Sequence, residues 1–224
     1  TPLSRLRFSA AMMDNIQPQQ LEEITTDIKE MEKLVDEMLD YSRIENIDKQ
    51  QDKTNVNITE LLNNVVAKYQ RSTDKNISIF SPKQPKLALK SLSDVSLPNE
   101  DIHFYCNGHL IERACQNLIG NAVKHACEKI IIEVAFNDTE LKLSVSDDGK
   151  GIDAQYTDAI FQPFFKLDKS RNKSTNKNQD GVGLGLAIVK RIMAIHQGEC
   201  TYQQVEPVGA RFILSLPNLN PNLE

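Results

Sequence analysis

No run of apolar residues in this 224-residue sequence approaches the ~20 needed to span a bilayer, and no secretory leader opens it. It also lacks an excess of positive charge. The formal net charge of −5 gives no electrostatic reason to expect a nucleic acid as partner. Cysteine is scarce, and Cys106, Cys115, Cys127 and Cys200 form no C-x-x-C pair. Dispersed among apolar neighbours, they read as reduced core thiols of a cytosolic protein rather than disulfides or metal ligands. An initiator methionine is missing too. Thr1-Pro2 runs straight into an amphipathic helix, a beginning expected of a piece cut from a longer protein.

What is present divides into a short helical part and a longer mixed part. Leu3, Leu6, Ala10 and Met13 recur at spacings of three and four, the seam of a helix packed on another helix. Gln17-Pro18 interrupts it, and Leu21, Ile24, Ile28, Met31, Val35 and Met38 resume the pattern. Leu34 and Leu39 widen this second stripe beyond what one short helix covers, so a second copy completing a four-helix bundle is expected. Residues 1–46 are therefore read as a helical hairpin. The polar, aperiodic stretch 47–56 is read as a linker, 57–217 as a second domain and 218–224 as a tail.

In the second domain, Asn57 with Glu60 forms a capping-box signal before a helix that carries Ile58, Leu61, Leu62, Val65, Val66 and Tyr69 on one face. Strands are expected at Ile77–Phe80, Ile102–Cys106, Ile130–Phe136, Leu141–Ser146, Cys200–Val205 and Arg211–Leu216, and helices at Leu110–Ala126 and Leu184–Ile195. The order implies an α+β fold: an antiparallel-rich sheet with helices on one face. Ser81–Asn99, broken by Pro82, Pro85 and Pro98, reads as an elaborated loop with no identifiable chemistry.

Four patterns in this domain can carry chemistry. Asn117 and Asn121 share a helical face in Asn117-Leu-Ile-Gly-Asn121-Ala-Val-Lys124-His125, and amide oxygens suit a hard cation such as Mg²⁺. A pair of solvated or capping asparagines would look the same. Asp147-Asp148-Gly149-Lys150-Gly151 follows a strand, where a carboxylate can accept from the exocyclic amine of adenine and glycines admit close approach. A tight hairpin turn is the alternative. Phe161, Phe164 and Phe165 precede the polar segment Asp168–Asp180, as a fixed base precedes a hinged lid; plain core and a solvated loop compete with that reading. Last, Asp180-Gly181-Val182-Gly183-Leu184-Gly185-Leu186 opens a helix and offers backbone N–H groups to an anion. It is neither a Walker A loop nor a dinucleotide-binding fingerprint.

In this order the four resemble the N, G1, F and G2 boxes of sensor histidine kinases, whose superfamily includes the ATPases of type II topoisomerases and mismatch-repair proteins. The resemblance runs from about Asn57 to Pro217 and ends in Gly209-Ala210-Arg211-Phe212. It implies an α/β sandwich that binds ATP, with Asn121 as the Mg²⁺ ligand and Asp147 as the adenine-reading carboxylate. By the same resemblance Asn117, Lys124, Lys166 and Arg171 serve the phosphates. The turn of Gly181, Val182, Gly183, Leu184, Gly185 and Leu186 wraps them, and Gly149, Gly151 and Ile152 line the base. His125 stands where the family often has Tyr.

Thr1-Pro2-Leu3 with Arg5 and Phe8 resembles the end of the family's H box, and Asp27–Glu45 its second hairpin helix. The phosphorylated histidine is then expected four residues before Thr1. His103, His109, His125 and His196 all fall in the other domain. By the same resemblance Thr1 would position water to dephosphorylate a partner's aspartyl phosphate; a first-turn threonine with no such role is the alternative. The implied whole is a homodimeric kinase, membrane-anchored through upstream segments with this portion cytoplasmic, that passes phosphate from histidine to an aspartate of a response regulator. The main rival is a nucleotide-hydrolysing ATPase of the same superfamily. Those enzymes carry a Glu base where this chain has Asn117, which cannot take a proton. A binding-only domain is the other alternative, and the retained box residues speak against it.

Overall fold

The computed structural model describes Arg5, Leu6, Ser9 and residues 17–45, 52–80, 101–137, 139–167 and 182–219. Thr1, the Ser81–Asn99 loop, Arg171, Gly181 and the rest of the Asp168–Asp180 segment lie outside the described residues.

Helix α1 runs Pro18–Glu45, with Pro18 at its first turn, where a missing N–H costs nothing. Its apolar stripe is largely uncovered: Met31 is 51% exposed, Val35 42% and Met38 43%, and Ile24 lies on the same heptad line. Ile28 differs from the expectation of one open stripe, because it is buried. At the other end Ile44 is buried in the main core, with Tyr41 packed beside it.

Part of the stretch read as linker is in fact a strand. β1 (Thr54–Asn57) pairs antiparallel with β3 (His103–Cys106) in a two-stranded sheet. Helix α2 (Ile58–Gln70) follows at once, its N-terminus capped by Asn57 Oδ1 accepting the Glu60 N–H at 3.0 Å. Helix α3 (Gly108–His125) starts two residues earlier than the periodicity suggested, because Asn107 caps it by accepting the Leu110 N–H. Helix α4 is Gly185–Ile195.

The main sheet has five strands in the order β2-β4-β5-β7-β6. These are β2 (Asn76–Phe80), β4 (Lys129–Phe136), β5 (Glu140–Asp147), β6 (Glu199–Gln204) and β7 (Ala210–Pro217). Among the described residues only the β2–β4 pair is parallel. Alternation sends Ile130, Ile132, Val134, Leu141, Leu143, Val145, Phe212, Leu214 and Leu216 toward the helices, all buried. The opposite face is polar, with Arg211 donating to Ser146 Oγ at 2.7 Å and pairing with Glu133 at 3.1 Å. One-sided coverage makes this a two-layer α/β sandwich, joined to a helical segment, in an α+β chain.

Candidate functional site

Asp147 ends β5, flanked by Ile130 of β4 and Ala210 of β7. This central place buries it to 7% exposure. Burial pushes its carboxyl above the usual range; the Gly149 N–H, the nearby His125 charge and the Ala210 N–H pull it back down. Its Oδ1 accepts the Gly149 N–H at 2.9 Å. A carboxylate has about four acceptor positions, so capacity remains for a ligand's N–H.

The turn after Asp147 is not a tight hairpin, since β5 continues into two 3-10 turns, Ala154–Tyr156 and Ala159–Phe161. Its glycines have a reason beyond ligand approach. A Cβ on Gly149 would lie 2.2 Å from the His125 carbonyl oxygen, so a side chain there would prise the end of α3 off the turn. Asp148 reinforces the same junction by accepting the Cys127 and Glu128 N–H groups at 2.9 and 3.0 Å. Partial burial alone would raise the Asp148 carboxyl, but these donors hold it below its ordinary value. Sequence reasoning gave Asp148 no role, because its partners lie 20 and 21 residues back, on the far side of strands β4 and β5. Gly151 sits at φ +70, and the Ile152 N–H donates to the Tyr202 hydroxyl at 2.9 Å. Gly209 closes against the Asp147 carbonyl oxygen at a separation that excludes any Cβ.

Asn117 and Asn121 are half-buried on one face of α3, with Lys124 exposed at its C-terminal end. The Asn117 Nδ2 donates to the Arg113 carbonyl oxygen at 3.0 Å, which leaves its amide oxygen turned toward the glycine turn. A Cβ on Gly185 would stand 3.1 Å from that oxygen. The second expected pattern thus meets α3 at its C-terminal end and the fourth meets it near its middle. Leu184 is fully buried, Val182 and Leu186 pack against the core, and Gly183 at φ +83 lies against Phe164 and Phe165.

The two segments that flank residues 168–181 are tied together, since the Phe164 N–H donates to the Gly183 carbonyl at 2.9 Å. Phe161 and Phe165 pack on the core, Phe161 edge-on to Phe212 at 6.3 Å. Phe164 does not: it is 54% exposed, at φ +64. Plain core therefore explains two of the three phenylalanines. Lys166 is exposed just beyond. The turn that follows the buried carboxylate and the glycine-lined helix start thus both abut the helix that carries the amides.

The family described as "Histidine kinase-, DNA gyrase B-, and HSP90-like ATPase" matches residues 106–220, and "His Kinase A (phospho-acceptor) domain" matches residues 1–47. Sensor protein RstB of Escherichia coli K12 is 32% identical over 97% of the chain, which covers 46% of RstB. For sensor histidine kinase CpxA of the same strain the figures are 27%, 97% and 44%. The chain thus spans just under half the length of these relatives. Among solved structures, full-length ShkA in complex with AMPPNP aligns over 97% of this chain and 43% of that one, with a TM-score of 0.69 at 21% identity. Acinetobacter baumannii histidine kinase AdeS aligns over 98% and 96%, with a TM-score of 0.68 at 18% identity. Both share the fold.

Proposed function

The chain belongs to the sensor histidine kinases, and on that premise we propose that it binds Mg-ATP and serves phosphoryl transfer to a histidine. The observation that supports this best is the buried Asp147 carboxylate held by Gly149 and Gly209 at the sheet end beside α3. Asp147 would accept the adenine amine. Asn117, Asn121 and Lys124 would line the polyphosphate, under the Gly183–Gly185 turn and with Lys166 and Arg171 from the neighbouring segment.

Asn121 fits a Mg²⁺ held mainly by phosphate oxygens and water, since no group of three or more His, Cys, Asp or Glu poised for a metal occurs among the described residues. The bound metal would supply charge neutralisation at the γ-phosphoryl group. The protein's own part is to orient the chain of phosphates and to withhold a general base. Asn117 cannot accept a proton, so ATP persists until an imidazole attacks.

The histidine is not among residues 1–47, whose sequence contains none. We place it on the first hairpin helix beyond Thr1, in a homodimer whose phosphate passes to an aspartate in a response regulator's receiver domain. Thr1 would assist the reverse hydrolysis. Membrane anchoring through segments outside this chain, with the chain on the cytoplasmic side, completes the reading; no described helix is long and apolar enough to cross a membrane.

Titration calorimetry tests the nucleotide assignment. The chain should bind ATP and ADP well above GTP, and Asp147→Asn should weaken adenine nucleotides by about 1–3 kcal/mol. Equal affinity for ATP and GTP would remove Asp147 from the role.

A further inference from the structure

A charged contact joins the hairpin helix α1 to the helix that carries the two asparagines. Arg113 Nη2 lies 2.6 Å from Asp40 Oδ2, both side chains about one-third exposed. The pair borders a cleft of about 570 Å³ lined by Lys33, Asp36, Glu37, Leu39 and Arg43. One turn further along α1, Ile44 is buried in the main core. The pair therefore sits where α1 docks, yet water reaches it.

Two features set Arg113 apart from a surface arginine. Its Nε is buried with no hydrogen-bond partner among the described residues, so Asp40 uses only part of its donor fork. It also lies four residues before Asn117 and eight before Asn121, on the same face of α3 and about 6 Å from Asn117 along the axis. Arg113 thus stands where the phosphate-lining stripe of α3 meets the hairpin.

We propose that Arg113 is a further phosphate-binding residue held in reserve by Asp40, the pair forming a latch between hairpin and nucleotide-binding helix that a bound polyphosphate loosens. This rests on the nucleotide site proposed above. A triphosphate end beside Asn117 attracts the guanidinium and repels the Asp40 carboxylate, and both effects open the pair. A partly solvated ion pair is weak enough to exchange partners, and phosphate oxygens match the guanidinium fork better than one carboxylate oxygen does. By linkage, whatever ATP takes from the pair, loss of the pair returns to ATP. Opening removes the ionic tie between α1 and α3 and leaves Tyr41 and Ile44 as the contacts that dock this end of α1.

Calorimetry with Mg-ATP and with adenosine on four proteins tests this. Asp40→Asn should tighten ATP roughly three- to fivefold, the size of one partly solvated charge contact, and leave adenosine unchanged. Arg113→Ala should weaken ATP about tenfold, and adding Asp40→Asn to it should change nothing further. Arg113→Lys should recover part of the loss, which keeps the test decisive if the alanine variant folds poorly. In the wild-type chain, Mg-ATP should also speed hydrogen exchange across Asp36–Ile44. If Asp40→Asn leaves ATP affinity unchanged or lowers it, or shifts adenosine equally, the latch is wrong. A wild-type chain that binds no ATP would instead sink the nucleotide site, and the latch with it.

Discussion

Asp147 and His196 are both buried, at 7% and 3% exposure, and they respond to pH in opposite senses. Burial raises the Asp147 carboxyl against the pull of the Gly149 N–H, the His125 charge and the Ala210 N–H, with Asp148 adding to the rise. A carboxyl raised on folding contributes stability at low pH that is lost as pH climbs through its folded value. Burial thus disfavours the charged form of Asp147, and a ligand N–H donor at this carboxylate would favour it. His196 is lowered from 6.5, chiefly by burial and also by Lys53, against the hydrogen bond to Ile192. Its Nε2 accepts the Asn107 N–H at 3.1 Å while Nδ1 meets the Ile192 carbonyl at 2.8 Å, so the neutral ring ties α4 to the cap of α3. Its contribution is present above 6.5 and lost as pH falls through the folded value. The two groups therefore pull the stability of the nucleotide-free chain in opposite directions as pH rises. Asp147→Asn should raise the melting temperature near pH 8, and His196→Gln should flatten the decline below about pH 6.5. Melts across pH 5–8 that coincide with wild type in both variants would contradict this. The sequence pointed to Asp147 because a carboxylate followed by two glycines is a local pattern. It gave no sign of His196, whose partner stands 89 positions earlier.

At the scale of elements, what could be read was what repeats along the chain. The alternation in Ile130–Phe136 and Arg211–Leu216 and the helical period in α1 are visible without knowing any neighbour. β1 was not, because Thr54-Asn-Val-Asn offers one apolar residue and no period; its partner β3 makes it a strand. Strand order was equally hidden, since the β2-β4-β5-β7-β6 arrangement comes from pairings between distant segments. The stripe on α1 carries a consequence that the burial pattern sharpens. Ile24, Met31 and Met38 repeat every seven residues, with Val35 beside them, and all four are exposed while Ile28 is not. Burial of such a stripe against a second copy would complete a four-helix bundle. Met31→Glu should therefore abolish self-association, because a buried unpaired charge costs several kcal/mol. It should leave the nucleotide domain folded, while Ile28→Glu should also destabilise the chain itself. Light scattering over a concentration series reads the first effect and thermal melts the second. A Met31→Glu chain as self-associated as wild type would show that the stripe faces something else.

Considered whole, the chain joins the nucleotide site proposed around Asp147 to helix α1, docked through Asp40, Tyr41 and Ile44. That docking could not be read from the sequence, because Asp40 looks like ordinary helix surface and its partner Arg113 lies in a distant segment. Its functional meaning depends on a residue type that the hairpin sequence does not contain: residues 1–47 match a phospho-acceptor domain and hold no histidine. The four histidines of the chain are poor substitutes. His196 is buried with both ring nitrogens engaged. His103 is on β3, His109 in the first turn of α3 and His125 at its last residue, so each is fixed to the body proposed to hold the nucleotide rather than to the element that must approach it. In-line attack needs the nucleophile about 3–3.5 Å from the phosphorus, and a histidine rigidly carried by the donor domain cannot be presented that way. Incubated with γ-labelled Mg-ATP, the chain should thus bind nucleotide and acquire no acid-labile label, hydrolysing ATP slowly at most, since Asn117 offers no base. A helical extension placing one histidine four residues before Thr1 should bring labelling. Label on the unextended chain at any of its four histidines would overturn this division of labour between hairpin and nucleotide domain.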